Sequence, residues 1–246
     1  MKIVFFGVGA VCSVMATLLD ELSNKSKQKD INFVFVVRNI KKAQGHFFKN
    51  SNILNKSDFL EIKHFEEIFE DSKKYEKYLQ NSDIFINSST PSFNLPIMNL
   101  ALKYNTNYAD LASDIYKDEI ISTLKFDQQI LENEFKSQNL FALINLGISP
   151  GITNFLIGEK IHSLKNLPYE VKIKKLEINL LEEIQSKKLI FSWSPKVAID
   201  ELAFPPVFYK KNRPKTIEPF SKSKVYKFPY FRNIVDIYPV FIEELI

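Results

Sequence analysis

Residues 2–22 read KIVFFGVGAVCSVMATLLDEL, in which a continuous apolar run, two glycines and a helical pattern follow one another directly. The unbroken apolarity of residues 3–6 predicts a parallel strand that is covered on both faces. Apolar residues recur at helical spacing from Val11 to Leu22, which predicts a helix after Gly9. The stretch therefore predicts a strand, a tight turn and a helix, the unit from which parallel α/β sheets are built.

The two glycines of this turn suit a bound dinucleotide. A pyrophosphate requires a tight turn, which Gly7 permits, and a backbone without a side chain where the phosphate approaches, which Gly9 provides. Ala10 and Val11 begin the helix, whose free N–H groups and positive dipole end attract the phosphate. We therefore predict that Gly7, Gly9, Ala10 and Val11 bind the pyrophosphate of a nucleotide cofactor.

Cys12 stands where the dinucleotide fingerprint prefers Gly or Ala for close packing of the helix on the strand. A cysteine is small and often buried, so we interpret it as a packing residue. The alternative is a reactive thiol near a helix N-terminus. Cys12 is the only cysteine of the chain, which excludes an intrachain disulfide.

The first part of the chain alternates between strand and helix patterns. After the first helix, strands are predicted at residues 32–37, 83–87, 108–111 and 141–145, and helices near residues 40–49, 94–103 and 119–135. Residues 51–80 mix aromatic and acidic side chains and give no clear pattern. The alternation predicts an α/β fold with a Rossmann-type doubly wound parallel sheet.

The pattern changes after residue 150. A helix is predicted near residues 153–162, and residues 171–181 alternate between apolar and polar side chains, as a half-buried strand does. Strand-like, proline-rich sequence follows to residue 246. We predict an NAD(P)-binding domain over residues 1–150 and a second domain over residues 151–246.

Composition and charge exclude several classes of protein. Lys and Arg number 33 against 29 Asp and Glu, and the basic residues are scattered, so we predict no nucleic-acid surface. No apolar run approaches the roughly 18 residues of a membrane span, and the N-terminus lacks a signal-peptide cleavage site. His46, His64 and His162 are isolated, which disfavours zinc sites and Ser/His/Asp chemistry. We predict a cytoplasmic protein without a bound metal.

Arg38 and Asn39 follow the strand that ends at Val37, at the point where the adenosine ribose of a dinucleotide lies. NAD sites usually present Asp or Glu there, and neither follows Val37. An arginine can bind a 2′-phosphate through two parallel hydrogen bonds or stack on adenine. Arg38 and Asn39 therefore favour NADP, with NAD possible. The alternative is an arginine that faces solvent.

Small hydroxyl residues follow the strand predicted at residues 83–87. Ligands of open α/β sheets bind at the carboxyl ends of the strands, so Ser88, Ser89, Thr90 and Pro91 are predicted to line the cofactor. A helix cap is the alternative, and Ser92 is equally suited to that role.

Asp110 stands at the end of the strand predicted at residues 108–111. A buried carboxylate needs a ligand or a partner, so Asp110 is the candidate active-site acid. A helix cap or a structural ion pair is the alternative. Residues 145–154, NLGISPGITN, form a glycine-bounded loop that leads from a strand into a helix. The free N–H groups at such a helix start suit a substrate carboxylate.

Four segments together resemble the saccharopine dehydrogenase-like oxidoreductases, a group that includes saccharopine reductase, lysine 6-dehydrogenase-like proteins and carboxynorspermidine dehydrogenase. They are KIVFFGVGAVCSVMA (residues 2–16), DIFINSSTPSFNLPIMNLALKYNTNYADLAS (83–113), LGISPGITNFL (146–156) and FSWSPKVAIDELAFPPVFYKK (191–211). The second resembles the strand, proline-containing loop, helix and Tyr-x-Asp-Leu strand of the family. The third is similar to its Gly-x-x-Pro-Gly loop, and the fourth to its Phe-Ser-Trp-Ser-Pro segment.

The resemblance implies a Rossmann cofactor domain joined to an α/β substrate domain, and a homodimer. It also implies reversible hydride transfer between NAD(P)(H) and a C–N bond of an amino-acid-derived or polyamine-like substrate. By position, it implies that the nicotinamide or the substrate lies near Asp110, Gly147, Pro150, Gly151, Asn154, Trp193 and Ser194. Trp193, the only tryptophan, has core packing as its alternative.

Members of this family are longer than 246 residues, so the resemblance implies a substrate domain that is incomplete in this sequence. A rival hypothesis is a catalytically silent dinucleotide-binding or assembly protein. A third is an enzyme similar to homospermidine synthase, which would use bound NAD transiently.

Overall fold

The computed structural model describes residues 1–26, 30–47, 51–113, 126–191, 194–210 and 213–241. These residues form two compact units, of which the first ends at Gly147 and the second begins at Ile148. The domain boundary predicted after residue 150 stays a prediction. Each unit is described by itself below.

Six parallel strands form the sheet of the first unit. They are β1 (Lys2–Phe6), β2 (Asn32–Val37), β3 (Ser57–Glu61), β4 (Ile84–Asn87), β5 (Asn107–Asp110) and β6 (Ala142–Leu143). Their spatial order is β3-β2-β1-β4-β5-β6, and this is the order of dinucleotide-binding sheets, in which the winding reverses beside β1. The predicted Rossmann-type parallel sheet is confirmed.

Helices connect these strands. They are α1 (Ala10–Ser26), α2 (Ile40–Gly45), α3 (Ser51–Asn55), α4 (Glu66–Glu70), α5 (Glu76–Leu79), α6 (Asn94–Lys103) and α7 (Glu132–Ser137), with 3-10 turns at Ser72–Tyr75, Pro91–Phe93 and Asp127–Leu131. α6 has the bounds that the sequence predicts. α2 ends earlier than predicted, at Gly45. Of the helix predicted at residues 119–135, residues 119–125 lie outside the described part, and the rest is a 3-10 turn followed by α7.

Apolar cores lie on both faces of the sheet, because β1 and β2 are buried along almost their whole length. Phe6 and Phe85 pack edge to face in one core. Phe5 and Phe35 stack in the other, with ring centroids 5.6 Å apart. Burial on both faces explains why the apolar runs of these strands are continuous. The two cores fix the carboxyl ends of β1, β2, β4 and β5, where the candidate site residues follow.

The fully buried residues of α1 are small or polar and not its large apolar ones. The helix forms where predicted, but Cys12, Ala16, Asp20 and Ser23 are its buried residues. Among the residues whose spacing predicts the helix, Val11, Val14, Leu18 and Leu22 are exposed. The Asp20 carboxylate receives the Lys56 ammonium at 3.1 Å, which compensates for its burial.

The described residues of the second unit contain two helices and two antiparallel strand pairs. The helices are α8 (Ile152–Lys165) and α9 (Pro195–Ala203); the pairs are β7 (Val207–Lys210) with β8 (Arg213–Thr216), and β9 (Lys224–Tyr226) with β10 (Val235–Ile237). Few of its described apolar side chains are buried; besides Pro150 and Pro206 they are Ala198, Val207 and Phe241.

The strand predicted at residues 171–181 is wrong, because these residues form neither helix nor strand. An alternating pattern indicates which face a strand would bury, but a strand forms only where a second one supplies its hydrogen bonds. No strand in the described part of the chain pairs with this segment. The strand predicted at residues 141–145 does form, but only over Ala142–Leu143.

Candidate functional site

The turn after β1 accepts only glycine at its first position. Gly7 has a φ of +94°, which residues with a side chain rarely adopt. A Cβ added to Gly7 would lie 2.8 Å from the Cβ of Ser89. The Gly7 N–H donates to the Val36 carbonyl at 2.9 Å, so the turn is tied to β2. Backbone conformation and close approach both require the glycine that the sequence shows.

Gly9 differs from Gly7 because a Cβ added there would meet no atom within 4 Å. Space for another group is therefore present beside this backbone. In α1 the Ser13 N–H donates to the Gly9 carbonyl at 3.0 Å, so the N–H groups of Ala10 and Val11 lie in the first turn and have no intrahelical acceptor. An open glycine at the start of a helix fits a pyrophosphate. Contact of these residues with a cofactor stays a prediction.

Hydroxyl residues after β4 pack against this turn. The Ser88 hydroxyl donates to the Gly7 carbonyl at 2.7 Å. The Ser89 N–H and hydroxyl donate to Asn87 Oδ1 at 3.0 and 2.7 Å. The structure thus places the predicted cofactor-lining residues beside the predicted pyrophosphate turn.

Thr90 and Pro91 lead into α6 without capping it. Thr90 precedes the 3-10 turn that begins at Pro91, and its hydroxyl lies 2.9 Å from that of Ser92. The N-cap of α6 is Phe93, with no side-chain hydrogen bond. The alternative in which Ser92 caps this helix is therefore wrong.

Three buried polar residues that the sequence analysis missed hold this wall of the site. The amide of Asn87 donates to the Thr90 carbonyl at 3.0 Å and to Asn94 Oδ1 at 2.7 Å. The Tyr108 hydroxyl donates to the same Asn94 oxygen at 3.0 Å, and the Asn94 amide donates to the Ala112 carbonyl at 2.8 Å. Asparagines inside predicted helix and strand boundaries were the signal, because such side chains are rarely buried without a partner.

Cys12 lies beneath the same wall and is 1% exposed. Burial raises the pKa of its thiol to about 12, against a smaller opposing effect of the hydrogen bond with Ser88. The thiol is therefore protonated near neutral pH and is a poor nucleophile. The packing interpretation of Cys12 is the one that the structure supports.

Two charged residues lie at the carboxyl ends of β2 and its neighbour β3, namely Arg38 after β2 and Glu61 at the end of β3. Arg38 is exposed and makes no hydrogen bond or ion pair with any described residue. Asn39 is the N-cap of α2 and its Oδ1 accepts from the Lys42 N–H at 2.8 Å. Glu61, which the sequence analysis missed, ends β3 in register with Val37, and its carboxylate accepts from the Ile40 N–H at 3.1 Å.

Asp110 ends β5 and is 1% exposed. Its Oδ1 accepts from the Asn145 N–H at 2.7 Å, and its Oδ2 accepts from the Gln128 amide at 3.2 Å. Burial raises the pKa of this carboxyl to about 6, while hydrogen bonds from the Asn145 N–H and the Gln128 amide oppose the shift. Neither a helix cap nor an ion pair of the described residues includes Asp110, so neither alternative reading is borne out.

Gln128 connects Asp110 to the loop after β6. Its amide nitrogen also donates to the Ser113 hydroxyl at 2.9 Å, which in turn donates to Asn145 Oδ1 at 2.8 Å. Gln128 Oε1 is the one buried side-chain polar atom without a partner among the described residues. The Asp110 carboxylate thus holds β5, the turn at Gln128 and Asn145 together.

The predicted substrate residues fall in different parts of the structure. Gly147 is half-buried at the end of the first unit. In the second unit, Gly151 precedes α8 with a φ of +129°, and its N–H donates to Asn154 Oδ1 at 3.1 Å. Pro150 is buried and Ser194 is the N-cap of α9. Trp193 lies outside the described residues. The substrate contacts of all these residues stay predictions.

Two negative findings concern only the residues that the structure describes. The described residues contain no group of three or more His, Cys, Asp or Glu side chains that could hold a metal ion. None of the helices within these ranges combines the length and the apolarity needed to cross a lipid bilayer.

The strand order, the turn that admits only glycine and the open helix start define a dinucleotide-binding domain of Rossmann type. A family model described as the saccharopine dehydrogenase NADP binding domain matches residues 3–143, which is more than half of the chain. The chain belongs to the saccharopine dehydrogenase family through this domain. The resemblance stated from the sequence is confirmed, as is NADP as the cofactor of the domain.

One solved structure agrees with this chain in fold. Apo saccharopine dehydrogenase (L-Glu forming) from Saccharomyces cerevisiae matches with a TM-score of 0.62 and 18% identity over 97% of this chain and 49% of that chain. The chain thus spans about half the length of this relative. A myo-inositol dehydrogenase from Corynebacterium glutamicum matches with a TM-score of 0.39 and 14% identity over 67% of this chain and 41% of that chain. The WlbA dehydrogenase from Thermus thermophilus matches with a TM-score of 0.41 and 13% identity over 66% and 47%. No significant similarity to a curated protein was found.

Proposed function

We propose that this protein is an NADP-dependent oxidoreductase that transfers a hydride at a C–N bond of an amino-acid-derived amine or imine. Membership of the saccharopine dehydrogenase family supports an oxidoreductase in general. The observation that carries the proposal for this chain is the turn at Gly7 and Gly9. The Ser89 side chain leaves no room for a Cβ at Gly7, whereas the space beside Gly9 is open to a ligand.

The residues of the first unit would hold the cofactor along the carboxyl edge of the sheet. Gly9 and the start of α1 would bind the pyrophosphate, and Ser88 and Ser89 would line the adjoining wall. At the tip of β2, the unpaired guanidinium of Arg38 would bind the 2′-phosphate. Among the described residues no ion pair joins Glu61 to Arg38, and Glu61 Oε1 accepts from the Ile40 N–H.

Bound NADP supplies or accepts the hydride at its nicotinamide. The protein must then orient the imine and deliver or remove one proton at its nitrogen. Asp110 is the candidate for this proton, because a carboxyl with a pKa of about 6 exchanges protons near neutral pH. However, its Oδ1 accepts from the Asn145 N–H and its Oδ2 accepts from the Gln128 amide. These contacts support most directly a role of Asp110 in holding the loop after β6.

Residues 145–154 would receive the substrate carboxylate. The start of α8 carries the positive end of the helix dipole, which suits an anion, although the Gly151 N–H already donates to Asn154 Oδ1 and the Thr153 N–H to the Ile148 carbonyl. Trp193 and Ser194 would contribute from the second unit, as the family resemblance implies. A small amino-acid or polyamine-like substrate is the class that the family resemblance implies.

The second candidate function is a silent dinucleotide-binding or assembly protein. The observation that favours it is the sparse burial in the second unit, where, besides two prolines, Ala198, Val207 and Phe241 are the buried apolar side chains among the described residues. A substrate pocket requires rigid support, and sparse packing provides little of it.

Titration of the purified protein with NADPH and NADH, followed by cofactor fluorescence, tests the cofactor part of the proposal. We expect Arg38→Ala to weaken NADPH binding at least about tenfold, since a charged hydrogen bond contributes about 1.5–3 kcal/mol, and to leave NADH binding unchanged. Arg232→Ala is the matched control, because Arg232 is also exposed and lies in the second unit. Absence of binding by either nucleotide would contradict the proposal.

Oxidation of NADPH in the presence of amino acids mixed with aldehydes or keto acids tests the reaction. Turnover with at least one such pair is expected. Tight NADPH binding with no turnover across amine and carbonyl pairs would favour the silent protein instead.

A further inference from the structure

The hairpin of β7 and β8 lies in a strongly basic stretch of the second unit. Residues 207–227 contain seven Lys or Arg residues against one acid, Glu218. This local excess of six cations is larger than the excess of four that the whole chain carries. The prediction of no nucleic-acid surface follows from the charge of the whole chain, and the concentration of cations in this stretch argues against it.

The register of the hairpin brings its cations to one face. Directly opposite residues of an antiparallel pair share a face, and so do residues two apart in a strand. Phe208 stands opposite Lys215, and Lys210 stands opposite Arg213, so these four side chains share a face. The other face carries Val207, which is 5% exposed. The face with the cations is therefore the outward one, and it is called the basic face below.

The cations of the basic face lack acidic partners. Lys210, Arg213 and Lys215 are exposed, and in the described part of the chain none of them forms an ion pair. By contrast, Lys224 of β9 pairs with Glu177 at 3.0 Å. Like charges that stand directly opposite each other, as Lys210 and Arg213 do, are unfavourable. An anion bound across the hairpin would remove this repulsion, so the face is complementary to a polyanion.

The aromatic ring of the basic face indicates which polyanion fits. Phe208 is partly exposed and stands opposite Lys215. Proteins bind single-stranded nucleic acid through cations that follow the phosphates and aromatic rings on which the bases stack. The bases of a duplex are already stacked within it. A lipid surface needs an apolar face that inserts below the headgroups, whereas the other three side chains of the basic face are charged.

We propose that the basic face of the β7–β8 hairpin binds single-stranded nucleic acid, with Lys210, Arg213 and Lys215 on the phosphates and Phe208 stacked on a base. Phosphate contacts and stacking carry little sequence information, so binding would be independent of sequence. This binding would be a second function of the chain. It does not depend on the dinucleotide site or on the proposed reaction, because all four residues belong to the second unit.

Fluorescence anisotropy with a labelled oligothymidylate of about 12 nucleotides, a length within the range of single-strand sites, tests the phosphate contacts. For single strands, each contact contributes about −0.7 to the slope of log K against log salt concentration. Replacing the three cations of the basic face by glutamine should therefore reduce the slope by about 2 and weaken binding at least about tenfold at low salt. The variant is Lys210→Gln/Arg213→Gln/Lys215→Gln.

A second triple variant, Lys165→Gln/Lys187→Gln/Lys188→Gln, is the matched control. It removes the same charge from exposed residues of the same unit that lie outside the hairpin, and its salt slope should equal that of the wild type. Resistance of the α8 peptides to proteolysis serves as the readout of folding of the second unit. Absence of binding by the wild type, or equal salt slopes of the two triple variants, would overturn the proposal.

Substitutions of Phe208 test the stacked base. Phe208→Leu keeps an apolar side chain but removes the ring, so it should weaken binding at least about fivefold and leave the salt slope unchanged. Phe208→Tyr keeps the ring and should bind like the wild type. A duplex of the same length and vesicles that contain phosphatidylserine are the competing polyanions. Binding of either as tightly as the single strand, or equal affinities of Phe208→Leu and Phe208→Tyr, would overturn single-stranded nucleic acid as the ligand.

Discussion

Three glycines of the first unit differ in what a methyl group would meet. At Gly7 it would lie 2.8 Å from the Cβ of Ser89, and at Gly9 and Gly45 it would meet nothing within 4 Å. We expect Gly7→Ala to lower the free energy of unfolding by about 1–3 kcal/mol, because a side chain at positive φ is strained. We expect Gly9→Ala to unfold like the wild type but to bind NADPH at least tenfold more weakly, because the methyl group fills the space beside the helix start.

Urea unfolding and NADPH titration of the same variants separate these effects. Gly45→Ala is the control for an open glycine outside the site: it should raise the free energy of unfolding by at most about 1 kcal/mol, because Gly45 ends α2 and alanine favours helix, and leave the NADPH affinity unchanged. If Gly9→Ala bound NADPH as tightly as Gly45→Ala does, the pyrophosphate would not lie at this turn.

Asp110 links the site to the pH dependence of stability. Burial raises the pKa of its carboxyl from 3.8 to about 6 in the folded protein, so the folded chain keeps a proton that the unfolded chain has lost between these values. The contribution of Asp110 to stability is therefore greatest below pH 3.8 and falls as the pH rises through about 6. At 1.36 kcal/mol per pKa unit, the loss is at most about 3 kcal/mol. Asp110→Asn has no such titration.

Urea unfolding of the wild type and Asp110→Asn across this pH range measures the effect. The free energy of unfolding of Asp110→Asn, relative to that of the wild type, should rise as the pH increases and level off above about pH 7. The new amide can also donate to Gln128 Oε1, which has no partner in the described structure. A difference that does not vary with pH would show that the Asp110 carboxyl titrates normally.

Among the elements, α1 fully buries small residues such as Ala16, whereas Met15 and Leu19 are only partly buried and its remaining large apolar residues are exposed. Ala16 is fully buried against the sheet, whereas Leu18 is 51% exposed. We expect Ala16→Leu to lower the free energy of unfolding by about 1–3 kcal/mol through overpacking. Leu18→Ser should change it by less than about 0.5 kcal/mol, as surface substitutions do.

Thermal and urea unfolding of these two variants check the packing of α1. Leu22→Ser is a second exposed control on the same helix, because Leu22 is 61% exposed. A large loss of stability in Leu18→Ser together with a small one in Ala16→Leu would mean that the helix packs through its apolar stripe instead.

The elements that the sequence predicts best are the strands that are buried on both faces of the sheet. β1 and β2 are buried on both faces, so their apolar runs suffice. β3 was missed because it is an edge strand with only Leu60 buried in its sequence SDFLE. The segment at residues 171–181 was misassigned because strand formation depends on a pairing partner, which lies outside the segment itself.

The residues of the candidate site likewise divide into those that the sequence predicts and those that it does not. The turn at Gly7 and Gly9 was predicted because its backbone requirement is visible in the residue types. The bonds of Asn94 to Asn87 and Tyr108 depend on how β4, α6 and β5 meet. Glu61 comes to the tip of β2 only through the register of β3. Such contacts between elements are not encoded in any local pattern.

At the scale of the whole molecule, apolar burial is concentrated in the first unit, where both faces of the sheet are covered. Burial of apolar surface is the main source of stability, at about 25 cal/mol per Å². The second unit buries Ala198, Val207 and Phe241 among its described apolar residues. We therefore expect the two units to unfold separately, with the second unit less stable than the first.

NADPH should then stabilise only one of the two transitions. A ligand that binds the folded state adds about 2.7 kcal/mol at a concentration of 100 times its Kd, and the glycine turn that would bind it belongs to the first unit. Pulse proteolysis with mass spectrometry follows each unit through its own peptides, those of α6 (Asn94–Lys103) for the first and those of α8 (Ile152–Lys165) for the second. On heating with NADPH, protection of the first-unit peptides should extend to higher temperature while that of the second-unit peptides stays in place. Equal shifts of both would show that the units unfold as one cooperative body, and the separation of stability argued from burial would be wrong.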